Sequence, residues 1–254
     1  MSLLRKIAQK GLVSRYKEMR DEIIISRRKV SEILWAQVFN DYVPNESWIY
    51  KNGKLNLCLG RGAIGYPTAY ILYRALEENR FDHILELGMG QSSDIIGRYI
   101  KSKSEEGVHI AVEHDSEWAN ICASKYDLSL SIIKVLDLEK IEYPPQKGTY
   151  TYKYKDFKKE IGNHKFGLIC VDGPYGFNNP IYSRIDILSI IPECLEDTFC
   201  IIFDDWDRDG EKNTVLKVEE VLKQSKVEYC KCLFSGEKDT CVIVSKNLGY
   251  MRFY

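Results

Sequence analysis

Apolar runs of strand length alternate with amphipathic segments along the chain from residue 80 onward. The runs are rich in Ile, Val and Leu, and the segments between them carry apolar residues at helical spacing. Strands that alternate with helices in this way form a parallel sheet covered on both faces. The pattern predicts strands at 83–88, 108–113, 130–135, 166–171, 198–204, 227–234 and 240–245, and helices at 92–103, 116–126, 181–195 and 211–224.

The two ends of the chain complete this outline. Residues 235–239 join the last two predicted strands, and so short a connection permits only an antiparallel hairpin. Before the sheet, residues 2–40 have apolar side chains at helical spacing, which predicts two or three helices. After a loop-rich section, Pro67 opens a further helix that ends near Glu78.

These elements predict an α/β fold with a Rossmann-like, doubly wound, seven-stranded sheet whose last strand is antiparallel. We expect residues 1–79 to form an N-terminal helical extension or lid. Residues 80–254 form the main domain, which carries an insertion at 137–165 with Pro144, Pro145 and a run of tyrosines. No internal repeat suggests a different architecture.

Charge and cysteine usage exclude several classes of protein. The 254 residues include 36 basic and 37 acidic side chains, and no long block of like charge suggests a nucleic-acid partner. No apolar run is long enough for a signal peptide or a membrane span, so we expect a cytoplasmic protein. The eight cysteines lie mostly in apolar, strand-like runs, which favours buried reduced thiols over disulfides or a zinc site.

The first strand of the sheet ends in a glycine turn that opens a helix. Gly88 and Gly90 remove Cβ where the backbone turns and approaches a ligand, and the two following serines can cap the helix. A dinucleotide fingerprint requires a third glycine at position 93, where this chain has serine, and the acid before the turn suits a cationic ligand. The predicted cofactor-binding residues here are Glu86, Gly88, Met89, Gly90, Ser92 and Ser93.

Further acids follow the second and third strands. Glu113 lies about 25 residues after the glycine turn, where such folds place a carboxylate for ribose hydroxyls. His114 follows it and is assigned to the same site, although an ordinary surface role stays open, and Asp115 is expected to cap the next helix. Asp137 is placed at the adenine edge of the cofactor, with a turn-forming aspartate as the alternative.

Three carboxylates end two neighbouring strands, at the sheet edge where ligands of open α/β sheets bind. Asp172 follows the strand 166–171, and Asp204 and Asp205 follow the next strand. They form a candidate all-oxygen site for Mg²⁺, which would acidify substrate hydroxyls. Alternatively, one carboxylate with a raised pKa acts alone as a general base, or the acids pair with nearby Arg and Lys side chains such as Arg184, Arg208 and Lys212.

Arg184 and the aromatic residues are the remaining candidates for the site. The guanidinium fork of Arg184 can hold a carboxylate or the substrate, and a surface ion pair with Asp186 or Glu193 is the alternative. Aromatic side chains can stack on sugar rings or serve as packing. Those considered are Tyr143, Tyr150, Tyr152, Tyr154, Tyr175 and Trp206.

Taken together, the glycine turn, Glu113, the Val171-Asp172-Gly173-Pro174 segment and the Asp204-Asp205 pair resemble class I S-adenosylmethionine (SAM) dependent methyltransferases. The likeness covers residues 80–246 and implies SAM as the cofactor. Metal-dependent sugar and catechol O-methyltransferases of that superfamily carry similar acids. The catechol enzymes have Asn at the last of these positions and a lysine after the first acid, where this chain has Asp205 and Gly173.

The resemblance implies methyl transfer to a hydroxyl of a sugar, glycan precursor or other small molecule, with Asp172, Asp204 and Arg184 as catalytic residues. Mg²⁺ would be bound by Asp172, Asp204 and Asp205, and Asp172 is also expected to contact the cofactor. A nicotinamide-dependent oxidoreductase and a non-catalytic SAM- or glycan-binding partner subunit are the alternatives. The acceptor, its regiochemistry and the oligomeric state stay open.

Overall fold

The computed structural model describes residues 3–51, 53, 55, 57, 62–103, 106–142, 148–176 and 181–254, with side chains from residue 12 onward. Its helices are α1 (Leu3–Tyr42), α2 (Tyr66–Glu78), α3 (Gln91–Lys103), α4 (Ser116–Lys125), α5 (Phe157–Glu160) and α6 (Asp209–Gln224). Its strands are β1 (His83–Leu87), β2 (Val108–Glu113), β3 (Ser131–Val135), β4 (Leu138–Glu142), β5 (Tyr150–Tyr154), β6 (Phe166–Val171), β7 (Leu195–Phe203), β8 (Tyr229–Ser235) and β9 (Asp239–Ser245).

Among the described residues, seven strands form the central sheet in the order β3-β2-β1-β6-β7-β9-β8. The first five of these strands are parallel to one another, and β9 is antiparallel to both β7 and β8. The predicted doubly wound sheet and its antiparallel last strand are therefore confirmed. The strand order reverses at β1: β2 and β3 lie on one side of it, and β6 and β7 lie on the other. Open α/β sheets bind their ligands at such a point.

Both faces of the sheet are buried, as the near-continuous apolar strands predict. One face, with Ile84, Leu168 and Ile202, packs against α2 and α3. Residues on the opposite face, such as Leu85 and Ile169, pack against α6 and the insertion. All six residues of β6 are buried, so the strand end that carries Asp172 is held in a rigid layer.

The insertion at 137–165 contains its own two-stranded antiparallel sheet, formed by β4 and β5, and the short helix α5. Tyr154 at the end of β5 is fully buried against the main domain, whereas Tyr150 is exposed. Tyr143, Pro144 and Pro145, as well as Cys58, lie outside the described residues. The seven described cysteines are free thiols.

The N-terminal segment is one helix of 40 residues, so the prediction of two or three helices was wrong. Helical spacing continues through the segment without a proline, and a single glycine at position 11 does not end a helix. Its C-terminal part packs against α2 through Trp35 and Phe39. No helix in the described part of the chain is long and apolar enough to cross a membrane.

The prediction of a helix at 181–195 was also wrong. The structure has a short 3₁₀ helix, Ile185–Ser189, and β7 begins at Leu195. Pro192 lies inside the predicted helix, where it has no N–H to donate and its ring clashes with the preceding turn. Arg184, directly before the 3₁₀ helix, has a left-handed backbone with φ 53°.

Candidate functional site

A cavity of about 280 Å³ lies at the carboxyl ends of β1, β2 and β6, where the strand order reverses. The polar groups at this edge come from residues that directly follow the predicted strands in the chain. Its wall includes Met89, Glu113, His114, Trp118, Asp172 and Tyr175.

Gly88 and Gly173 bring the two central strand ends into direct backbone contact. Gly88 has φ +87°, and a Cβ atom on it would lie 2.7 Å from the Gly173 nitrogen. A Cβ on Gly173 would lie 2.6 Å from Gly88 Cα. A Cβ on Gly90, by contrast, would meet nothing within 4 Å. The tight turn predicted from the sequence is present. The structure adds that position 88 must be glycine, because the backbone that follows β6 lies directly against it.

Glu86 and Ser93 support the glycine turn from the protein interior. Ser93 Oγ donates to Glu86 Oε2 at 2.6 Å and accepts from the Gly90 N–H at 3.0 Å. Glu86 is fully buried, with His109 Nε2 3.4 Å from its carboxylate, and Ser92 is buried as well. Glu86, Gly90, Ser92 and Ser93 do not line this cavity; they support the turn that does, and their contact with a cofactor stays a prediction.

Glu113 presents an ionised carboxylate to the cavity. Its Oε2 accepts from the Met89 N–H at 3.0 Å, and its Oε1 accepts from the N–H groups of His114 and Asp115 at 2.7 and 3.0 Å. Burial alone would raise the pKa of Glu113, but the His114 side chain and these three N–H groups lower it below its usual range. A carboxylate oxygen can accept a second hydrogen bond, so Oε2 can also accept from a ligand donor such as a hydroxyl of a vicinal diol.

Trp118 is a cavity residue that the sequence analysis missed. Asp115 caps α4, as predicted, by accepting from the N–H groups of Glu117 and Trp118. The indole of Trp118 then donates to the Met89 carbonyl at 2.7 Å and lines the cavity. The signal that could have indicated Trp118 is an aromatic residue in the first turn of a helix that follows a strand-end acid, here Glu113.

His114 and two tyrosines form another part of the wall. The His114 ring lies 5.2 Å from that of Tyr175, which in turn lies 5.5 Å from that of Tyr152. Tyr154 also faces the cavity, and its backbone N–H donates to Asp186 Oδ1 at 2.9 Å. The insertion thus contributes to the site through Tyr154 directly and through Tyr152 by contact with Tyr175.

Asp137 does not reach the cavity. Its side chain is exposed, and its backbone carbonyl accepts from the Lys155 N–H at 2.8 Å, which fixes the base of the β4–β5 hairpin. This contact favours the turn-forming alternative, and the expected contact of Asp137 with an adenine edge stays a prediction. Trp206 likewise lies outside the cavity wall, with its ring 5.5 Å from Lys212 Nζ.

Asp172, Asp204 and Asp205, here called the acid cluster, converge as predicted. One carboxylate oxygen from each lies within 4.8 Å of the others. Arg184 joins them, with Nη2 3.1 Å from Asp172 Oδ1 and 2.7 Å from Asp205 Oδ2. Arg184 is buried and lines the cavity, so the surface pairing with Asp186 or Glu193 is wrong.

Lys238 is the second residue that the sequence analysis missed. It lies in the turn between β8 and β9, forms a close ion pair with Asp204 Oδ2, and has Nζ 3.2 Å from Asp205 Oδ1. Asp204 also accepts from Thr68 Oγ1 at 3.0 Å and is buried behind Lys238, outside the walls of the described cavities. These contacts favour a supporting position for Asp204, and its direct catalytic role stays a prediction.

Arg208 and Glu211 extend this network, whereas Lys212 does not contact the acid cluster. Arg208 Nη1 lies 2.8 Å from Asp205 Oδ2, as the ion-pair alternative anticipated. Lys212, named in the same alternative, instead lies 3.7 Å from Asp209. The buried Glu211 lies 3.7 Å from Arg184 Nε.

Asp172 and Asp205 differ in their tendency to hold a proton. Burial and the neighbouring Asp204 raise the pKa of Asp172 to about 7, against the opposing effect of Arg184 and Lys238. Burial also acts to raise the pKa of Asp205, but Arg184, Lys238 and Arg208 lower it overall. Asp172 lines the cavity, so it can take up a proton near neutral pH at the ligand surface.

The donor set does not fit the predicted Mg²⁺. Each carboxylate of the acid cluster already contacts a cationic side chain: Arg184 contacts two of them and Lys238 contacts two. Burial alone would lower the pKa of Lys238, but the acid cluster raises it above its usual range, so the ammonium stays charged. A divalent ion placed among these oxygens would lie next to the two cations and be repelled by them.

A second, open cleft of about 800 Å³ adjoins the cluster from the side of α1. Ile24 and Ile25 of α1 line one wall. The residues common to this cleft and the 280 Å³ cavity are Asp205, Arg208 and Lys238. The two spaces therefore adjoin at these three side chains.

Comparison with solved structures identifies the fold. An O-methyltransferase from Bacillus cereus in complex with SAH (S-adenosylhomocysteine) is 14% identical, with a TM-score of 0.55 over 87% of this chain and 100% of that one. The chain has the fold of class I SAM-dependent methyltransferases. A putative O-methyltransferase from Klebsiella pneumoniae is 15% identical, with a TM-score of 0.52 over 87% of this chain and 99% of its own.

The O-methyltransferase TomG from Streptomyces achromogenes, involved in tomaymycin synthesis and in complex with SAM, is 13% identical. Its TM-score is 0.51 over 87% of this chain and 97% of its own. No protein-family model and no curated protein matches the chain. The class I fold is thus shared at low sequence identity, and the residues of the site must carry any argument about chemistry.

Proposed function

We propose that this protein is a SAM-dependent O-methyltransferase that acts on a small-molecule hydroxyl. The observation that carries the proposal is the junction of two spaces at Asp205, Arg208 and Lys238. One space lies at the ligand-binding edge of a class I fold, and the other opens toward α1. A methyl donor in the first and an acceptor in the second would have their reacting atoms at this junction.

The residues of the 280 Å³ cavity fit SAM. The ionised Glu113 can accept hydrogen bonds from the ribose hydroxyls, and the Gly88–Met89 backbone turn can hold the amino-acid part of the cofactor. Trp118 and His114 offer ring faces and edges beside Glu113. When bound, SAM would supply a methyl group on a positively charged sulfur.

Asp172 is the proposed general base. As the acceptor oxygen bonds to the methyl carbon and the carbon–sulfur bond breaks, the hydroxyl proton must leave. Asp172 lines the cavity, and its raised pKa suits a proton acceptor near neutral pH. Arg184, 3.1 Å from Asp172 Oδ1, would orient the carboxylate. Positioning and deprotonation thus come from the chain's own residues.

The acceptor would bind in the 800 Å³ cleft. The helix α1 forms one wall of this cleft and would act as a lid. Ile24 and Ile25 offer apolar surface, while Lys29, Asp207 and Glu237 offer charged groups. A mixed wall of this kind suits a sugar, a glycan precursor or another hydroxyl-rich small molecule. In this proposal residues 1–79 and the insertion at 137–165 select the acceptor, and residues 80–254 provide the methyltransferase domain.

We also propose a cytoplasmic location and no nucleic-acid partner. The seven described cysteines are free thiols, which supports a reducing compartment. The net charge of −1 gives no excess of positive charge for a phosphate backbone. Cell fractionation followed by immunoblotting would test the location.

Calorimetric titration of the full chain with SAH, and separately with NAD, tests the proposal first. Saturable binding of SAH alone supports it and justifies a screen of acceptors with labelled SAM, beginning with sugar nucleotides. Binding of NAD alone would favour an oxidoreductase. SAH binding without turnover of any acceptor would favour a non-catalytic SAM-binding subunit.

The acceptor cleft has its own test. Ile25→Asp places a charge on the cleft wall and is expected to raise KM for the acceptor several-fold while SAH affinity is unchanged. Ile121→Asp, at an exposed isoleucine of α4, is the matched control. Equal effects of the two substitutions on acceptor KM would remove α1 from the acceptor site.

A further inference from the structure

The turn at residues 236–238, between β8 and β9, is fixed by α1. Arg28 Nη1 donates to the Glu237 carbonyl at 3.1 Å, and the Glu237 N–H donates to Glu32 Oε2 at 2.9 Å. Arg28 and Glu32 thus hold the turn from two sides. As a result, the Lys238 side chain reaches the acid cluster from a backbone that is already positioned.

Lys238 lies where the two spaces of the proposed site meet. Its ammonium contacts Asp204 and lies 3.2 Å from Asp205 Oδ1. An ammonium has three N–H donors, so two carboxylate contacts leave one donor for a ligand. Only 14% of the Lys238 side chain is exposed, and it lines both the 280 Å³ cavity and the 800 Å³ cleft. A ligand oxygen at the junction would therefore lie beside it.

We propose that the Lys238 ammonium binds the acceptor oxygen directly and takes the place of the divalent cation that metal-dependent O-methyltransferases use. The inference rests on the proposed function. A fixed positive charge stabilises the negative charge that grows on the acceptor oxygen while its proton passes to Asp172. The oxygen then bonds to the methyl carbon as the carbon–sulfur bond breaks, and no redox partner is required.

The charges around the acid cluster are the physical reason for this replacement. Arg184 and Lys238 together contact all three carboxylates of the cluster. The carboxylates therefore need no metal ion to balance their charge, and an added ion would have to displace the lysine. Removal of the lysine charge should accordingly create a metal site that the wild-type chain lacks.

Electron paramagnetic resonance with Mn²⁺ as the probe tests the inference without any acceptor. Wild-type protein is expected to show no Mn²⁺ binding that depends on Asp204. Lys238→Met is expected to bind Mn²⁺ more tightly than wild type by about tenfold or more. Adding Asp204→Asn to that variant should abolish the gain. Mn²⁺ binding to wild type that is lost in Asp204→Asn would overturn the inference, and so decides it even where Lys238→Met does not fold.

A second measurement tests the role of Lys238 in turnover. Lys238→Met is expected to lower kcat by about a hundredfold or more with SAH affinity unchanged, and Lys238→Arg should restore part of kcat. Lys231→Met is the control, because Lys231 lies on the same hairpin, pairs with Glu219 and lines neither space. Equal kcat in Lys238→Met and wild type would overturn the inference.

The two measurements separate this inference from the proposed function. Wild-type activity is expected to be the same with and without a chelator. Activity that a chelator abolishes and Mn²⁺ restores would overturn the role of Lys238 while leaving the methyltransferase proposal standing. Failure of wild-type protein to bind SAH would overturn the proposed function, and the role of Lys238 in methyl transfer with it.

Discussion

Arg184 and Asp205 form a buried ion pair in which both residues have left-handed backbone conformations. Arg184 Nη2 lies 2.7 Å from Asp205 Oδ2, and the two side chains are 4% and 5% exposed. Their φ angles are 53° and 58°. Such angles cost roughly 1–2 kcal/mol in a residue with a Cβ. The ion pair therefore stabilises two turns, one before a 3₁₀ helix and one after β7. In each turn the backbone conformation of the paired residue is unfavourable by itself.

Loss of the Arg184 charge should be severely destabilising. Arg184→Met would leave the buried Asp205 and Glu211 with only the more exposed Arg208 as a shared cation, and we expect the free energy of unfolding to fall by about 3–5 kcal/mol. Denaturant unfolding followed by circular dichroism measures the change. Arg20→Met is the control, because its ion pair with Asp21 is exposed and should contribute under about 1 kcal/mol. A similar loss in both variants would contradict the prediction.

The role of Glu113 in cofactor binding can be measured directly. Glu113→Gln keeps the shape of the side chain but loses its charge, so SAH affinity should fall by about 1.5–3 kcal/mol. Isothermal titration calorimetry of the purified variant gives this value. Glu117→Gln, at an exposed acid in the first turn of α4, should bind SAH as wild type does. Unchanged affinity in Glu113→Gln would remove Glu113 from the cofactor site.

The seven strands of the central sheet were predictable from local sequence, whereas β4, β5 and much of the site were not. Strands 108–113 and 166–171 match β2 and β6 to the residue, because burial on both faces leaves an apolar run that local sequence shows. Asp172 and its neighbours could be placed together from strand ends alone. Lys238 could not, because its position depends on β9 lying antiparallel beside β7. The pairing of a turn residue with a distant strand end is a property of the folded sheet.

Two positions show where local patterns are ambiguous. An acid before a glycine turn can face a ligand or the protein interior, and Glu86 faces Ser93 and His109. Apolar spacing around 181–195 resembles a helix, but Pro192 lies inside it and the chain there forms only a short 3₁₀ helix. In each case the deciding contact comes from a residue on another element or from a single backbone constraint.

The two glycines near the cofactor turn should differ in what they tolerate. Gly173→Ala would place a Cβ 2.6 Å from Gly88 Cα, so we expect a loss of about 1–3 kcal/mol in stability and weaker SAH binding. Gly90→Ala meets no atom within 4 Å and should change stability by no more than about 0.5 kcal/mol. Thermal unfolding and SAH titration of both variants test this. Equal stability of the two would show that the Gly88–Gly173 contact can relax.

Asp186 should make stability depend on pH in the acid to neutral range. The residue is buried, its Oδ1 accepts from the Tyr154 N–H at 2.9 Å, and its Oδ2 has no hydrogen-bond partner among the described residues. Burial raises the pKa of Asp186 to about 7. Between its unfolded pKa of about 3.9 and this value, the folded state binds more protons than the unfolded state. Its contribution to stability is therefore greatest in acid and is lost as the pH rises toward 7.

Asp186→Asn isolates this effect, because the amide keeps an oxygen for the Tyr154 N–H and never ionises. Relative to wild type, the variant should gain a few kcal/mol of stability between pH 4 and pH 8, since each pKa unit corresponds to about 1.4 kcal/mol. Urea unfolding at several pH values measures the difference, in which the contributions of all other groups cancel. Asp197→Asn, at an exposed aspartate, should show no such change. Parallel pH profiles for wild type and Asp186→Asn would mean that the Asp186 carboxyl is already ionised in the folded chain at pH 4.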